Sequence, residues 1–357
     1  MEILPKTLGT RPRLAVEVRA EGVVAARAED AAAVLTAVSR ADLVEGAVAP
    51  GLKAGNIVDQ TAVAAAVRRA LDGVAAGGRE RSRDVTVVVP DAAARVLFLD
   101  FDELPSKSVE ALPVVRFRLK KLLPFDADHA MVSYQIMSSK KDSVQLLAVA
   151  MPKDVLEEYE SAVLAAGYLP GAVLPSTLAA LAGLEEDAAP VLVVNASAGA
   201  VTTAITQGGT LLLHRSVDMG MNAPVEASTA ILPAEDHQSW LDEPGGVDRF
   251  EAEARMQSSV VETEVLREVG LRMAAREAVQ AVSVAAAYYE DSLQSSPDTL
   301  LVAGTLGAEN IAAMMEESGV QGMRVREIVD AGMIEAGAVT TRVPRGWLAG
   351  VRGALKN

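Results

Sequence analysis

Arg116, Arg118, Lys120 and Lys121 place four positive charges within residues 116–121 of a chain whose formal net charge is −15. Such a cluster is a local basic patch, either a solvated face or a face lying near anionic lipid heads. Other chemistry is sparse. The chain has no cysteine, which removes disulfides, thiolate nucleophiles and thiolate metal sites together. The three histidines, His129, His214 and His237, are far apart and none sits in a metal-ligand spacing such as HExxH, so no histidine-based catalytic centre is expected. The acidic balance argues against a general nucleic-acid binder, which needs an electropositive face to displace counterions.

The 357 residues are enough for two domains of ordinary size. Half of them are hydrophobic while only 3% are aromatic, so Ala, Val and Leu must build the interior, and small side chains favour close packing of helices on sheet. The start, "MEILPKTLGTRPRLAVEV", has no long apolar core behind a basic stretch and is not a signal peptide. No window approaches 18 uninterrupted apolar residues, so no membrane span is expected and any membrane link runs through a partner.

Alternation and helical spacing assign the elements that must position these residues. "RPRLAVEVRAEGVVAARAED" (11–30) reads as two strands joined at Ala20-Glu21-Gly22. Residues 59–76 read as a helix with Asp59 as its cap. "DVTVVVPDAAA" (84–94) is a buried strand stopped by Pro90, its continuous apolar run suited to a sheet covered on both faces. Residues 106–123 form an amphipathic helix, or two short ones divided near Pro113, and Pro124 ends it. Strands follow at 130–138 and 143–151, then a helix at 153–170 closed by Gly167, a strand at 171–174 and a helix at 175–183. After a polar joint at 185–190, three strands run from Val191 with turns near Ser197–Gly199 and at Gly208-Gly209. Residues 233–250 read as a mobile loop. A long helix at about 259–293, a strand at 298–304, a helix at 307–318, a strand near 323–327 and a last helix at 344–355 complete the chain.

Each half thus opens with antiparallel strands joined by glycine turns and continues into helices and a further strand. This repetition suggests a mixed α/β sheet in each half and a cleft between them, a common place for a ligand.

The order of elements resembles the actin-like ATPase fold, and several stretches are similar to the PilM-type proteins of type IV pilus assembly, with the cell-division protein FtsA more distant. "LDFDELPSKSVEALPVVRFRLKKLLPFDADHAMVSYQIM" resembles the family's helix, Pro-Phe stop and alternating strand. "LLAVAMPKDVLEEYESAVLAAGYLPGAVLPSTLAAL" is similar to its continuation. "VLVVNASAGAVTTAITQGGTLLLHRSVDMG" resembles the opening of the second half, and "DTLLVAGTLGAENIAAMM" the strand, glycine turn and helix near the adenine pocket. The resemblance implies an α/β, actin-like (ribonuclease H-like) duplicated fold. A first lobe at 10–185 would carry an inserted α+β subdomain at 104–150. A second lobe at 190–357 would include a variable subdomain at 220–270.

In that family ATP lies between the lobes, held by two loops that each start with an acidic residue and a glycine. The carboxylate holds Mg²⁺ through ordered waters, and glycine lets backbone N–H groups approach phosphate. At the matching positions this chain has Glu17 for Asp and Arg19 for Gly in "VEVRAEG", Asn195 for Asp and Ser197 for Gly in "VNASAG". At the adenine turn Gly304 is kept and Thr305 replaces the second Gly. Glu17 is one methylene longer, Asn195 has no charge for Mg²⁺, and Arg19 puts a long side chain where a phosphate should rest. An arginine can also bind phosphate directly, which would still leave the metal unsupported. The departures imply a pseudo-ATPase that uses neither ATP nor Mg²⁺; an active Mg-ATP-dependent ATPase is the alternative from a different class.

The resemblance also implies a docking role. In PilM-type proteins a groove beside the inserted subdomain holds the N-terminal tail of a membrane-anchored partner, PilN. Here Arg116, Arg118 and Lys120 would steer such a tail by attraction, and Phe117 and Phe125 would supply apolar pockets. The competing reading makes Val115, Leu119, Leu122 and Leu123 subdomain core and the cations a solvated face. At the C-terminus Trp347, Leu348, Val351 and Leu355 share one helical face, which reads as a structural helix packed on the second half rather than a membrane tail. The expectation is therefore a cytoplasmic scaffold peripheral to the inner membrane, linking a PilN-like tail to pilus or secretion motor components. A GspL-like type II secretion scaffold is a further alternative, although that relative normally carries a membrane span and a periplasmic domain after this fold.

Overall fold

β1 (Leu14–Arg19), β2 (Gly22–Ala28) and β3 (Leu35–Asp42) form an antiparallel meander. Side chains alternate across a strand, and this sorts β1 by chemistry. Leu14, Val16 and Val18 join the core under α1 (Gln60–Ala75), while Ala15 joins a second core on the opposite face, the face to which Glu17 and Arg19 also belong. The Asp59 carboxylate caps α1 by accepting from the Ala62 N–H at 2.9 Å. β4 (Asp84–Val89) then lies parallel to β1. Val85, Val87 and Val89 enter the α1 core and Val88 the other, as a doubly covered strand requires. Pro90 ends it, and a 3₁₀ turn, Asp91–Ala93, follows. The computed structural model describes residues 12–75, 82–186, 189–197, 199–218, 249–338 and 343–356, with only the backbone of 249–269.

β5 (Arg95–Phe101), α2 (Ser108–Leu119), β6 (Ala130–Lys140) and β7 (Ser143–Pro152) make an antiparallel three-stranded sheet of order β5-β7-β6 with α2 packed on it. Leu99, Val115, Leu119, Leu146 and Ala148 fill this core. The other face of the sheet, through Val96, Phe98, Leu147 and Val149, packs on the main body. α2 is one helix that keeps Pro113 inside it, not two. α3 (Lys153–Ala165) ends at Gly167, whose φ of 88° is the left-handed conformation expected there. β8 (Leu169–Pro175) adds parallel to β4, and α4 (Ser176–Ala182) follows.

The second half repeats this topology. β9 (Val191–Ala196), β10 (Ala200–Gln207) and β11 (Thr210–Asp218) form the meander; after α5 (Arg249–Leu293), β12 (Thr299–Gly304) adds parallel to β9, and after α6 (Ala308–Glu317), β13 (Arg324–Glu327) adds parallel to β12. The two sheets have orders β3-β2-β1-β4-β8 and β11-β10-β9-β12-β13, the same path drawn twice. α5 and α6 cover the outer face of the second sheet. Between the sheets lies one shared core, in which Ala15, Val24 and Leu178 of the first half meet Val193, Ala204 and Leu301 of the second.

Several elements depart from the sequence reading. β3 and β5 are not marked by it: β3 carries Ser39 and Arg40 inside the strand and β5 directly follows the Asp91–Ala93 turn, so neither stands out as an isolated apolar run. β5 also places the start of the small sheet at Arg95, ahead of residue 104. α5 starts at Arg249, earlier than 259. The C-terminal stretch is a 3₁₀ turn, Arg345–Leu348, followed by α7 (Ala349–Leu355); the turn meets β12 of the second half, as expected, while α7 packs chiefly on α4, β1, β2 and β4 of the first half, with a smaller contact to β12. Burial of Trp347, Leu348, Val351 and Leu355 drives it there. The expected loop at 233–250 (apart from its last two residues, which begin α5), most of the variable subdomain at 220–270 and His237 lie outside the described residues. No helix among the described residues is long and apolar enough to cross a membrane.

The loop from β3 to α1 is tied to α3 by one carboxylate. Glu158 of α3 accepts from Gly55 N–H at 2.6 Å and Ile57 N–H at 3.0 Å. Two charge-assisted bonds of this kind stabilise by about 1.5–3 kcal/mol each when formed to an ionised group. Glu158→Ala is therefore expected to accelerate amide hydrogen exchange at Gly55 and Ile57 by tenfold or more, while exchange in α1 stays unchanged.

Candidate functional site

Alternation brings polar residues of both sheets to the inner side. On β9, Leu192, Val194 and Ala196 face the outer core, so Val193 and Asn195 face inward, as Ala15 and Glu17 do on β1. Glu17 is fully buried and Arg19 nearly so. Two residues apart on one strand, they form an ion pair with Arg19 Nη2 2.6 Å from Glu17 Oε1. Ser176, the first residue of α4, donates to the same Oε1 at 2.6 Å. Asn195 Nδ2 reaches Ser176 Oγ at 2.9 Å and Thr177 Oγ1 at 3.0 Å. One serine hydroxyl thus stands between Glu17 of the first half and Asn195 of the second.

Asp91 is the second anchor. Its carboxylate accepts from Thr177 N–H at 2.9 Å, from Thr177 Oγ1, from Thr202 Oγ1 at 2.9 Å and from Asn195 Nδ2 at 3.3 Å. Thr202 passes the chain on to Ser216 Oγ at 3.0 Å. These donors come from α4 and from β9 and β10, so a single buried acid joins both sheets. Burial pushes the Glu17 carboxyl above its ordinary range, against the pull of Arg19 and the Ser176 hydrogen bond; the Asp91 charge adds to the rise. Burial likewise holds the His214 imidazole below its usual value, against the attraction of Asp91.

Of the positions matched to nucleotide loops, Glu17, Arg19 and Asn195 come together in this network. Ser197 sits at its edge with its N–H and Oγ both directed at the Ala200 carbonyl. With Glu21, Pro50, Asp91 and Ser176, these four surround a cavity of about 20 Å³, room for roughly one water. Gly304 and Thr305 lie beside that cavity rather than in its wall. Gly304 has φ +99°, and a Cβ there would overlap the Ala196 carbonyl, so only glycine fits. Thr305 donates its N–H to Ala196 O and its hydroxyl to Glu21 Oε1, both at 2.8 Å, fastening the end of β12 to the β1–β2 turn.

Sequence reasoning missed Asp91, Ser176, Thr177, Thr202 and Glu21. The one local signal was an acid immediately after the proline that stops a buried strand. The others are polar residues whose role depends on which strand lies opposite.

The basic segment is separate from this cleft. Arg116 is turned inward, donating to the carbonyls of Ala127 and, at 2.8 Å, Ala130. Lys120 pairs with Asp128 at 2.5 Å, which holds that exposed carboxyl below its usual range. Phe125 packs against the subdomain core, as Leu123 does, while Leu122 is exposed. Phe117 and Arg118 are exposed, with the Lys121 ammonium 5.9 Å from the Phe117 ring.

Two copies of one five-stranded mixed sheet, closed on a shared core with a small subdomain inserted in the first, define the actin-like duplicated α/β fold. No protein-family model matches the chain, and no curated protein matches it. Solved structures do. A chain of the PilM-PilN type IV pilus biogenesis complex is 17% identical with a TM-score of 0.65, covering 96% of this chain and 98% of that one. The ethanolamine utilization protein EutJ of Carboxydothermus hydrogenoformans is 12% identical with a TM-score of 0.45, covering 96% and 89%. The cytoplasmic domain of EpsL, an inner-membrane component of the type II secretion system of Vibrio cholerae, is 12% identical with a TM-score of 0.37, covering 66% and 90%.

Removing one member of a buried ion pair costs about 3–5 kcal/mol, whereas replacing both by apolar groups is often near neutral. Arg19→Ala is expected to destabilise by that amount in chemical denaturation, and Glu17→Met with Arg19→Met together by less than Arg19→Ala alone. A second outcome follows from His214. The unfolded chain binds its proton from about pH 6.5 downward and the native state resists it. Stability is therefore expected to fall as pH drops below about 6.5, and His214→Gln is expected to flatten that dependence.

Proposed function

We propose that the chain is an actin-like scaffold of pilus or related secretion machinery that works without nucleotide and binds the tail of a PilN-like inner-membrane protein. The reading places it on the cytoplasmic side of the inner membrane, reached through that partner, and linked onward to motor components. Its likeness in fold to a chain of the PilM-PilN complex supports the setting.

The observation that carries the nucleotide-free part is the filled cleft. A triphosphate with its hydrated Mg²⁺ needs an ionised carboxylate open to the ion's waters and backbone N–H groups within reach of phosphate oxygens. Glu17 instead commits its Oε1 to Arg19 and Ser176, Asn195 brings no charge, and the cavity these residues line is about 20 Å³. The residues present do not fit Mg-ATP. The competing reading, an active Mg-ATP-dependent ATPase, requires Arg19 to leave Glu17 and turn to phosphate.

For docking, the side chains free to meet a partner are Phe117 and Arg118, with the exposed Val114 and Leu122 nearby on the same segment. Arg116 and Phe125 act in this reading by holding the subdomain's shape.

Two measurements test the proposal. Isothermal titration with Mg-ATP is expected to show no binding heat; tight, metal-dependent binding would overturn the nucleotide-free reading. A synthetic N-terminal tail of the PilN-like protein from the same cell is expected to bind, and Phe117→Ser with Arg118→Glu to weaken it by roughly tenfold or more without lowering Tm. Equal affinity in that variant would remove these side chains from the interface.

A further inference from the structure

The chain's last residues leave the second half and close on the first. Glu335 N–H donates to Leu35 O at 2.9 Å and Val38 N–H to Ala338 O at 3.0 Å, so residues 334–338 run along the free edge of β3. The 3₁₀ turn at 345–348 then passes under Gly304 of the second half: a Cβ on Gly346 would stand 2.6 Å from Gly304 O and 2.9 Å from Glu327 Oε2. α7 continues onto α4.

Glycines let this strap approach closely at several points. A Cβ on Gly350 would stand 2.5 Å from Glu17 Oε2, and one on Gly353 would overlap the Ala179 carbonyl. Trp347, 4% exposed, lies between two cations, with the Arg40 guanidinium 4.0 Å and the Arg19 guanidinium 5.8 Å from its ring centroid. Arg352 donates to Gly183 O at 2.8 Å and Ala32 O at 3.2 Å; Lys356 reaches Leu184 O at 2.7 Å and Gly183 O at 3.2 Å. Cations on the last carbonyls of a helix satisfy acceptors that its own turns leave open.

We propose that this strap, residues 334–338 together with 343–356, is a ligand-independent latch that holds the two halves in one closed arrangement. Its chain origin is the second half, and its footing is Glu17, Arg19, α4 and the β3 edge of the first. Opening the cleft would have to part Gly346 from Gly304 and Glu327 of the second half, or else peel Trp347 from both arginines and lift Gly350 from Glu17 of the first. The contacts it uses are all supplied by the chain itself, so closure needs no bound molecule. The inference holds whether or not a partner docks on the subdomain.

The test reads the distance between the halves in the full-length chain. Because the protein has no cysteine, spin labels at Ala65→Cys on α1 and Ala313→Cys on α6, both exposed, report only that distance in pulsed electron-electron resonance. With the strap intact, one narrow distribution is expected without nucleotide, unchanged by added Mg-ATP. Trp347→Ala is expected to broaden or lengthen it by several ångströms while far-UV circular dichroism stays native. Arg40→Gln, which removes one stacked cation and leaves the strap's packing in place, is expected to broaden it less, and it decides the matter should Trp347→Ala fail to fold. A broad distribution in the unaltered strap, a narrowing on Mg-ATP, or an unchanged distribution in the folded variants would overturn the latch.

Discussion

A carboxylate taken out of water must be met by donors, and Asp91 is met by donors drawn from both halves of this fold. In a low-dielectric interior an unpaired acid is very costly and a well-solvated one is rigidly placed. Thr177, Asn195 and Thr202 can reach Asp91 together only when the two sheets sit at one separation and one register. The shared apolar core sets the approach of the sheets, which is non-directional; the polar cluster selects one arrangement from those the core would accept.

The same constraint explains the inner face of β1. A strand that presents Glu17 and Arg19 to a buried cleft must compensate both charges, and spacing of two on one strand brings Arg19 Nη2 to Glu17 Oε1, while Glu17 Oε2 and Arg19 Nε stay without a hydrogen-bond partner. Ser176 then serves Glu17 and Asn195 at once, so loops that differ in sequence are tied through one hydroxyl. Side chains of the chain itself occupy the ground between the lobes, and the C-terminal strap presses on the same pair from behind. A fold built this way keeps its shape through its own contacts.

The inserted subdomain follows a different logic. Its core is small, built from Leu99, Val115, Leu119 and Leu146, and its sheet leans on the main body by its second face. Half of the basic segment that stands out in the sequence is spent on holding this unit together. Arg116 satisfies carbonyls at the Ala127–Ala130 turn, and Lys120 satisfies Asp128. Charge count alone cannot separate such internal work from display, because both place the same residue types on a short helix.

Much of the fold was legible in the residues themselves. The alternation of β1 and β2, the apolar run of β4, the Asp59 cap, the Gly167 stop and the repeated order of strands and helices are local signals, set by side-chain period and backbone preference. β3, β5 and the early start of α5 were not, since a strand's pairing partner and a helix's first turns depend on neighbours distant in sequence. The positions Glu17, Arg19 and Asn195 could be marked from their loops, as could the loss of the usual residue types there. Only the tertiary structure decided that Arg19 pairs with Glu17 and that Asp91 and Ser176 join the halves. It also decided that α7 crosses to the first sheet. Local sequence records period and propensity; which buried charge meets which donor is settled when distant segments exclude water between them.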